Sequence, residues 1–362
     1  MSQALAEAQH ALYLSNPNPR VGCVIVKDGV VIGRGHTQRV GGPHAEVQAL
    51  ADVKSKGLDP AGSTIYVTLE PCNHTGRTPP CVDALIAAKP AMVIVAMSDP
   101  NPLVGGKGLE RLKAAGIDVR CGLLESEAQA LNRGFISRMT RGLPWVRMKI
   151  AASLDGKTAL PNGQSQWITG PLARADGHNW RAQACAILTG VGTVKEDDPT
   201  LNVRDVKTER QPWRIIVDSK LETPLNAKVL NNPKASGVIL VCASLDSQES
   251  QVKAKAFEAL GVEVIAMANA NGKVDLPKLF AYLAKERHMN EIHIEAGFKL
   301  NGSLLREACV DELLLYYAPF LMGEAVGMAN ITPLAALDQR QDWQIIDHSL
   351  FGSDLRLRLS KK

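Results

Sequence analysis

Four side chains in the first quarter of the chain could do chemistry together: His44, Glu46, Cys72 and Cys81. A neutral imidazole and two thiolates suit tetrahedral zinc, with the fourth position left for water. Water held there loses a proton near neutral pH, so a strong nucleophile forms without strong base. Glu46 follows the histidine by two residues and stands outside the ligand set, so it could carry that proton. This is the equipment of a hydrolase that exchanges an amino group for oxygen.

The order H-x-E and then P-C is the signature of zinc nucleobase deaminases. Here it reads His44-Ala45-Glu46 and Pro71-Cys72, with Cys81 as the further sulfur. A purely structural zinc site would need a fourth protein ligand, and Glu46 would then have no task. The other cysteines, Cys23, Cys121, Cys185, Cys242 and Cys309, read as small buried hydrophobes.

The elements that must position these residues follow from pattern and punctuation. Residues 21–26 and 30–35 are β-branched runs around Asp28-Gly29, a hairpin turn signal. Residues 44–56 read as a helix with His44 at its start, after Gly41-Gly42-Pro43. Residues 64–69 read as a strand that delivers Glu70, Pro71 and Cys72, and residues 81–88 as a helix opened by Pro79-Pro80. Both helix starts carry proposed ligands, and the partial positive charge of a helix start favours thiolate. A strand at 91–97, helices at 108–115 and 124–138, and a short strand at 117–120 complete the expectation. The fold class is α/β: a three-layer domain with a mixed sheet over residues 1–142.

The pattern ends at Arg141-Gly142-Leu143-Pro144, and a second α/β series occupies 145–362. Its expected strands are 145–152, 186–189, 214–217, 237–242, 262–267, 291–295 and 312–318, with 355–359 closing the sheet's edge. Its expected helices are 172–183, 250–260, 277–287 and 302–308. No internal repeat is visible. A chain of 362 residues suits two or three domains, and 45% hydrophobic with 22% charged residues is a soluble globular balance.

A net charge of +4 and 4% aromatic residues give no nucleic-acid footprint. No apolar stretch reaches membrane-spanning length. Seven scattered cysteines and the absence of a signal peptide predict a reducing cytoplasm. The second half has no G-x-G-x-x-G and no P-loop. Gly190-Val191-Gly192 and Glu295-Ala296-Gly297 are glycine signals after strands, which suit either a phosphate or an ordinary turn.

Longer stretches carry a resemblance. Asn16-Pro17-Asn18-Pro19 with Val21-Gly22-Cys23-Val24, then Pro43-His44-Ala45-Glu46, Thr68-Leu69-Glu70-Pro71-Cys72 and Gly76-Arg77-Thr78-Pro79-Pro80-Cys81 resemble the bifunctional riboflavin-biosynthesis deaminase/reductases. The eight residues between Cys72 and Cys81 fit that family rather than the short P-C-x-x-C of cytidine and tRNA-adenosine deaminases. Lys149 with Ala152-Ser153-Leu154-Asp155-Gly156, Ser165-Gln166-Trp167-Ile168-Thr169, Gly192-Thr193-Val194, Asp197-Asp198-Pro199 with Leu201, and Val217-Asp218-Ser219 resemble its reductase domain. That domain is similar in fold to dihydrofolate reductase, and the first to cytidine deaminase.

The resemblance implies hydrolytic deamination of a diaminopyrimidinone bearing a phosphoribosylamino group, then NADPH-dependent reduction of the ribosyl group to ribityl. It implies zinc on His44, Cys72 and Cys81, with Glu46 catalytic and Asn18, His74 and Arg77 on the deaminase substrate. It implies NADPH at Ala151, Trp167, Thr193, Asp197 and Ser219, with Gly297, Phe298, Lys299, Leu300, Asn301, Gly302 and Ser303 at its phosphates. Ser165, Arg181, Leu201, Arg204 and Glu295 would meet the reductase substrate, and Lys149 would polarise the sugar. Arg20 and Phe298-Lys299 depart from the residues common in the family. Its members are usually homo-oligomers, and a dimer is the expectation. On residues alone, a zinc deaminase of nucleic-acid bases with a non-reductase C-terminal domain stays open, as does NADPH against NADH.

Overall fold

The computed structural model describes residues 1–74, 79–102, 104–231 and 236–361. The chain forms two compact units, Met1–Leu143 and Pro144–Lys362.

The first unit runs α1 (Ser2–Gln9), β1 (Gly22–Lys27), β2 (Val30–His36), α2 (Ala45–Ser55), β3 (Thr64–Val67), α3 (Cys81–Ala88), β4 (Met92–Val95), α4 (Lys107–Ala114), β5 (Asp118–Cys121), α5 (Glu125–Leu131) and α6 (Arg133–Arg141). Its sheet has the order β2-β1-β3-β4-β5, antiparallel across β2, β1 and β3 and parallel from β3 to β5. The β1–β2 hairpin turns through Asp28 and Gly29, both with positive φ, as a two-residue hairpin loop requires. Alternating burial along β3 and β4 sends Ile65, Val67, Val93 and Val95 into one core with Ala45, Ala49 and Val53 of α2. Glycine controls how closely that helix lies. A side chain on Gly35 would collide with the Ala45 carbonyl, and one on Gly33 with the Ala49 carbonyl. The strand can therefore touch the helix backbone.

Two expectations need correction here. Residues 2–9 form a helix that the pattern did not announce. The helix expected over 124–138 is two helices broken at Asn132. The Asn132 side chain accepts from Arg20 N at 2.8 Å and donates to Arg20 O at 2.9 Å, so a buried asparagine at the break ties the helices to the segment before β1.

The second unit runs β6 (Trp145–Ser153), β7 (Lys157–Ala159), α7 (Pro171–Gln183), β8 (Ala186–Gly190), α8 (Val191–Asp197), β9 (Trp213–Val217), β10 (Val238–Cys242), α9 (Gln248–Ala259), β11 (Glu263–Ala266), α10 (Leu276–Lys285), β12 (Glu291–Ile294), α11 (Phe298–Arg306), β13 (Glu312–Ala318), β14 (Val326–Gly327), β15 (Trp343–Phe351) and β16 (Asp354–Lys361). The nine-stranded sheet has the order β11-β10-β9-β8-β12-β6-β13-β16-β15. It is parallel from β11 to β13 and antiparallel beyond. The edge is thus β15, which the pattern missed, and not the strand predicted at 355–359. Its half-buried positions include the polar Asp347 and Ser349, while Ile345, Ile346 and Leu350 are exposed, so no hydrophobic alternation marks it.

Where the sheet meets α7 its middle is ionic. Arg147 lies 3.2 Å from Glu312 and 3.7 Å from Glu291, and Arg358 donates to Glu312 at 2.9 Å. The Trp180 ring lies 4.4 Å from the Arg147 guanidinium carbon and 4.9 Å from that of Arg358. Strand alternation puts His293 and Glu295 in line with Glu291, so this charged stripe leads along β12 to its carboxyl end.

Candidate active sites

His44 is the residue that caps α2, with extended backbone and no capping hydrogen bond from its own side chain. Its imidazole is thereby left for the sulfurs. Cys81 Sγ lies 3.1 Å and Cys72 Sγ 3.6 Å from His44 Nδ1. All three ligand atoms lie within 4.8 Å of one another. Zinc bonds of about 2.0 Å to nitrogen and about 2.3 Å to sulfur put tetrahedral neighbours about 3.4–3.8 Å apart. The donor set and its spacing therefore fit zinc.

The start of α3 holds the cysteines together. Cys81 is its first residue, and its N–H donates to Cys72 Sγ at 3.2 Å, while Val82 N–H donates to the Cys72 carbonyl at 3.3 Å. Of the two thiols Cys72 is the more acidic. Hydrogen bonds from the Cys81 thiol, His44 and the Cys81 N–H bring its pKa down to about 4. The same contact, together with burial, pushes Cys81 up, and His44 is raised by its bond to Cys72.

Glu46 lies in the first turn of α2, buried at 3% exposure. Burial pushes its pKa up to about 7, and its carboxyl is hydrogen-bonded to the Cys81 side chain. A carboxyl poised near neutrality beside the ligand cluster can take a proton and return it. Cys23 is buried on β1 close enough to Glu46 for its thiol to feel that charge. Cys185 and Cys242 are also buried, whereas Cys121 is exposed and Cys309 half-buried, so the expectation of a buried thiol fails at these last two.

Asn18 closes a turn: its N–H donates to Ser15 O at 2.8 Å, and its half-buried side chain stays out of that turn's bonding. His74 is exposed two residues after Cys72. Arg77 lies outside the described residues. The guanidinium of Arg20, unusual for the family, is occupied within the fold, donating to Leu131 O at 3.0 Å. Two further residues, Glu70 and Arg111, support the cluster without any role expected from the sequence. Glu70 is buried and accepts three backbone N–H groups, from Asp99 at 3.0 Å and from Gly106 and Gly108 at 2.9 Å. Arg111 of α4 donates to Asn73 and Asp83. The one signal in the sequence was the place of Glu70 directly before Pro71-Cys72, because bonds to backbone N–H groups leave no mark on residue types.

In the second unit a cavity of ≈ 1140 Å³ opens at the carboxyl ends of the parallel strands. This is the crevice in which open α/β sheets bind ligands. Lys149, Ala151, Ser165, Trp167, Arg181, Thr193, Asp197, Leu201, Arg204, Glu295 and residues 297–301 all line it. Ser219, Gly302 and Ser303 lie off the lining. Ser219 Oγ accepts from Val274 N, Gly302 packs on the Asn330 backbone, and Ser303 bonds Lys299 O and Arg306.

The helix expected over 302–308 begins earlier, at Phe298, so the residues expected at the phosphates form a helix start. Gly297 caps α11 with no side-chain bond, so the first N–H groups of Phe298–Leu300 are left for a ligand. A methyl group on Gly297 would sit 3.5 Å from Thr193 Oγ1, which shows how closely α8 and α11 approach. Ser165 donates to Asp197 at 3.0 Å. Trp167 is 67% exposed and is flanked by the Arg174 guanidinium 4.5 Å from its ring.

Arg181 grips Glu295 with two bonds, Nε at 2.5 Å and Nη2 at 2.8 Å, and its Nη1 donates to Asn202 O at 3.0 Å. Burial alone would raise Glu295, but the Arg181 fork outweighs it and holds the carboxyl well below the usual range. Burial lowers the Lys149 pKa, and its ammonium sits 5.9 Å above the Tyr316 ring. Arg204 is exposed at the rim, its Nη1 held by Thr200 and Asn202. His178 accepts from Arg204 N, and burial pushes its pKa down to about 4.

Residues 144–357 match the family model of the RibD C-terminal domain, and residues 1–97 that of the cytidine and deoxycytidylate deaminase zinc-binding region. The chain is 44% identical to the riboflavin biosynthesis protein RibD of Escherichia coli over 99% of its own length and 98% of the relative's. It is similar in structure to Acinetobacter baumannii RibD, with TM-score 0.89, 41% identity and coverage of 100% of this chain and 97% of that one. A Thermotoga maritima structure described as a diaminohydroxyphosphoribosylaminopyrimidine deaminase/5-amino-6-(5-phosphoribosylamino)uracil reductase superposes with TM-score 0.87 at 32% identity, over 100% of this chain and 97% of that one.

Proposed function

This chain belongs to the RibD family, as a bifunctional deaminase and reductase of riboflavin biosynthesis, and from that premise we propose how its residues divide the work. The match of the second half to the RibD C-terminal domain does not favour a nucleic-acid deaminase with an unrelated C-terminal domain. Residues 1–142 act as the deaminase domain and 145–362 as the reductase domain.

The deaminase substrate is the diaminopyrimidinone phosphoribosylamine for which the Thermotoga relative is named. His44, Cys72 and Cys81 hold zinc. Bound zinc supplies a Lewis acid that makes water acidic enough to attack near neutral pH. Glu46 takes one proton of the attacking water and gives it to the ring nitrogen, then takes the second from the resulting hydroxyl and gives it to the departing amine, which leaves as ammonia. Asn18 and His74 orient the pyrimidine, and Arg77 takes the phosphate.

The second domain reduces the product's ribosyl group. The open helix start at Gly297 and the ≈ 1140 Å³ cavity fit a dinucleotide, and NADPH supplies a hydride when bound. The backbone of Gly297, Phe298, Lys299, Leu300 and Asn301 cradles its phosphates, with Ala151, Trp167, Thr193 and Asp197 along the rest. Glu295 and Lys149 hold the sugar hydroxyls, and Lys149 supplies the proton. Arg204 reads the substrate phosphate beside Ser165 and Leu201, while Arg181 aligns Glu295.

The observation that carries the reading is the meeting of His44, Cys72 and Cys81 around one point with Glu46 buried beside it. Purified protein is mixed with the aminopyrimidine and NADPH, and ammonia and NADPH absorbance are followed. Ammonia release followed by NADPH loss is expected; ammonia without NADPH oxidation would remove the second step. No helix of the described residues is long and apolar enough to cross a membrane, and the cytoplasm and a homodimer complete the proposal. The exposed Ile345, Ile346 and Leu350 of edge strand β15 support a second copy as its cover. Light scattering checks the mass.

A further inference from the structure

We propose that helix α4 clamps the metal-binding thiols, with Glu70 and Arg111 as the positioning residues that close the clamp. This rests on the reading of His44, Cys72 and Cys81 as zinc ligands. Cys72 lies in irregular backbone beyond β3, and Cys81 begins another element, α3. The first N–H groups of α3 already bond Cys72, and α4 adds ties from outside both elements.

Helix α4 reaches both segments. The Glu70 carboxylate takes the N–H of Gly106, which caps α4, and of Gly108 in its first turn, each at 2.9 Å. That is the positive end of the helix, where a carboxylate is stabilised. Glu70 also takes Asp99 N–H at 3.0 Å. Position 108 must be glycine, because a side chain there would collide with the Pro71 carbonyl. The helix therefore lies flush against Glu70-Pro71, the two residues that precede Cys72.

One turn on, the Arg111 fork spans the two cysteine segments. Its Nη1 donates to Asn73 Oδ1 at 2.9 Å and its Nη2 to Asp83 Oδ1 at 2.5 Å. Asn73 directly follows Cys72, and Asp83 stands two residues beyond Cys81. Cys72 is thus held on both sides by one rigid helix, and Cys81 is tied to the same helix through Asp83. Neither Glu70 nor Arg111 supplies a ligand atom. What they set is how little the sulfurs must move to take a metal, and such supporting groups govern metal affinity.

The test is competition between zinc-loaded full-length enzyme and a chromogenic chelator, which reads zinc affinity without any assay of activity. Glu70→Gln keeps the size of the side chain, loses one acceptor and removes the charge at the helix end. It should weaken zinc by about 10–100-fold. Arg111→Ala should weaken it roughly three- to tenfold, because its partners are more exposed. Arg111→Lys, able to reach only one of Asn73 and Asp83, should fall between wild type and Arg111→Ala. Arg120→Ala removes an exposed pair with Asp118 in the same unit and should change nothing.

The unfolding temperature of the zinc-free protein is read alongside. Variants that lower it while keeping wild-type zinc affinity would make the contacts merely structural and overturn the proposal. Wild-type affinity and stability together would do the same. If Glu70→Gln does not fold, the Arg111 pair decides alone. Failure of the ligand assignment is a separate result: His44→Ala would then keep its zinc.

Discussion

The two active regions of this molecule are built to different specifications. In the first unit the chemistry is gathered at a point: three ligand atoms within 4.8 Å, and Glu46 hydrogen-bonded to one of them. In the second it is spread along a crevice whose walls run from Lys149 to Val326 in the chain. The difference follows from what each must hold. A small ion and a water demand particular atoms at fixed separations. An extended dinucleotide and a sugar phosphate demand shape, donors along a length, and a few charges. Loss of one residue should therefore be near-total at the point and partial along the crevice.

That contrast can be broken most sharply at Glu46. Glu46→Gln keeps shape and hydrogen bonding but cannot shuttle a proton, and deaminase turnover should fall by about 10²–10⁴-fold. Zinc content and the reduction of already deaminated substrate should stay at wild-type values; comparable deaminase rates would return Glu46 to a structural role.

The next largest effect is expected where the crevice comes nearest to a point, at the Arg181–Glu295 pair. Arg181→Met leaves a carboxylate with little exposure and no fork, at a cost of about 3 kcal/mol to the unit. In the wild type the pair stabilises the fold above the ordinary carboxylate range, and the gain is lost only as pH falls toward the depressed Glu295 value. Without Arg181, burial takes over and the Glu295 pKa rises. The acid limb of the reductase pH profile should move to higher pH, and an unmoved limb would detach Glu295 from the reaction.

Arg204→Ala probes the distributed end of the comparison. One charge-assisted contact to a phosphate is worth about 1.5–3 kcal/mol, so the reductase KM should rise roughly ten- to a hundredfold with kcat unchanged. A fall in kcat with KM intact would move the arginine from the phosphate to the reacting sugar.

The smallest expected effect is on pH-dependent stability through His178. Its pKa is pushed down to about 4, so between that value and its unfolded pKa near 6.5 the unfolded chain binds the extra proton. Stability of the second unit should decline modestly as pH falls through this window, and His178→Asn should flatten the decline in denaturant titrations.

The same contrast explains what could be read from the chain alone. His44, Glu46, Cys72 and Cys81 were legible because few chemistries ask for those side chains in that order. The strands of both sheet centres were legible from β-branched runs, and both units from the break near Leu143. Glu70 and Arg111 were not, because their partners are backbone groups and segments brought together only by folding. Strand β15 escaped because polar Asp347 and Ser349 occupy its half-buried face while Ile345 and Leu350 are exposed, which breaks the apolar period. The Arg181–Glu295 fork was invisible too: both residues were assigned to the substrate, and only their spatial meeting reveals that they bond each other.

Helix α11 begins at Phe298, directly after Gly297, and this has a consequence for how the chain can vary. Peptide N–H groups at a helix mouth are supplied by every amino acid except proline, whatever its side chain. Uncommon residues at 298 and 299 can therefore sit there without changing the donors offered to an anion. The constraint falls on the direction in which the main chain enters its first turn at Gly297.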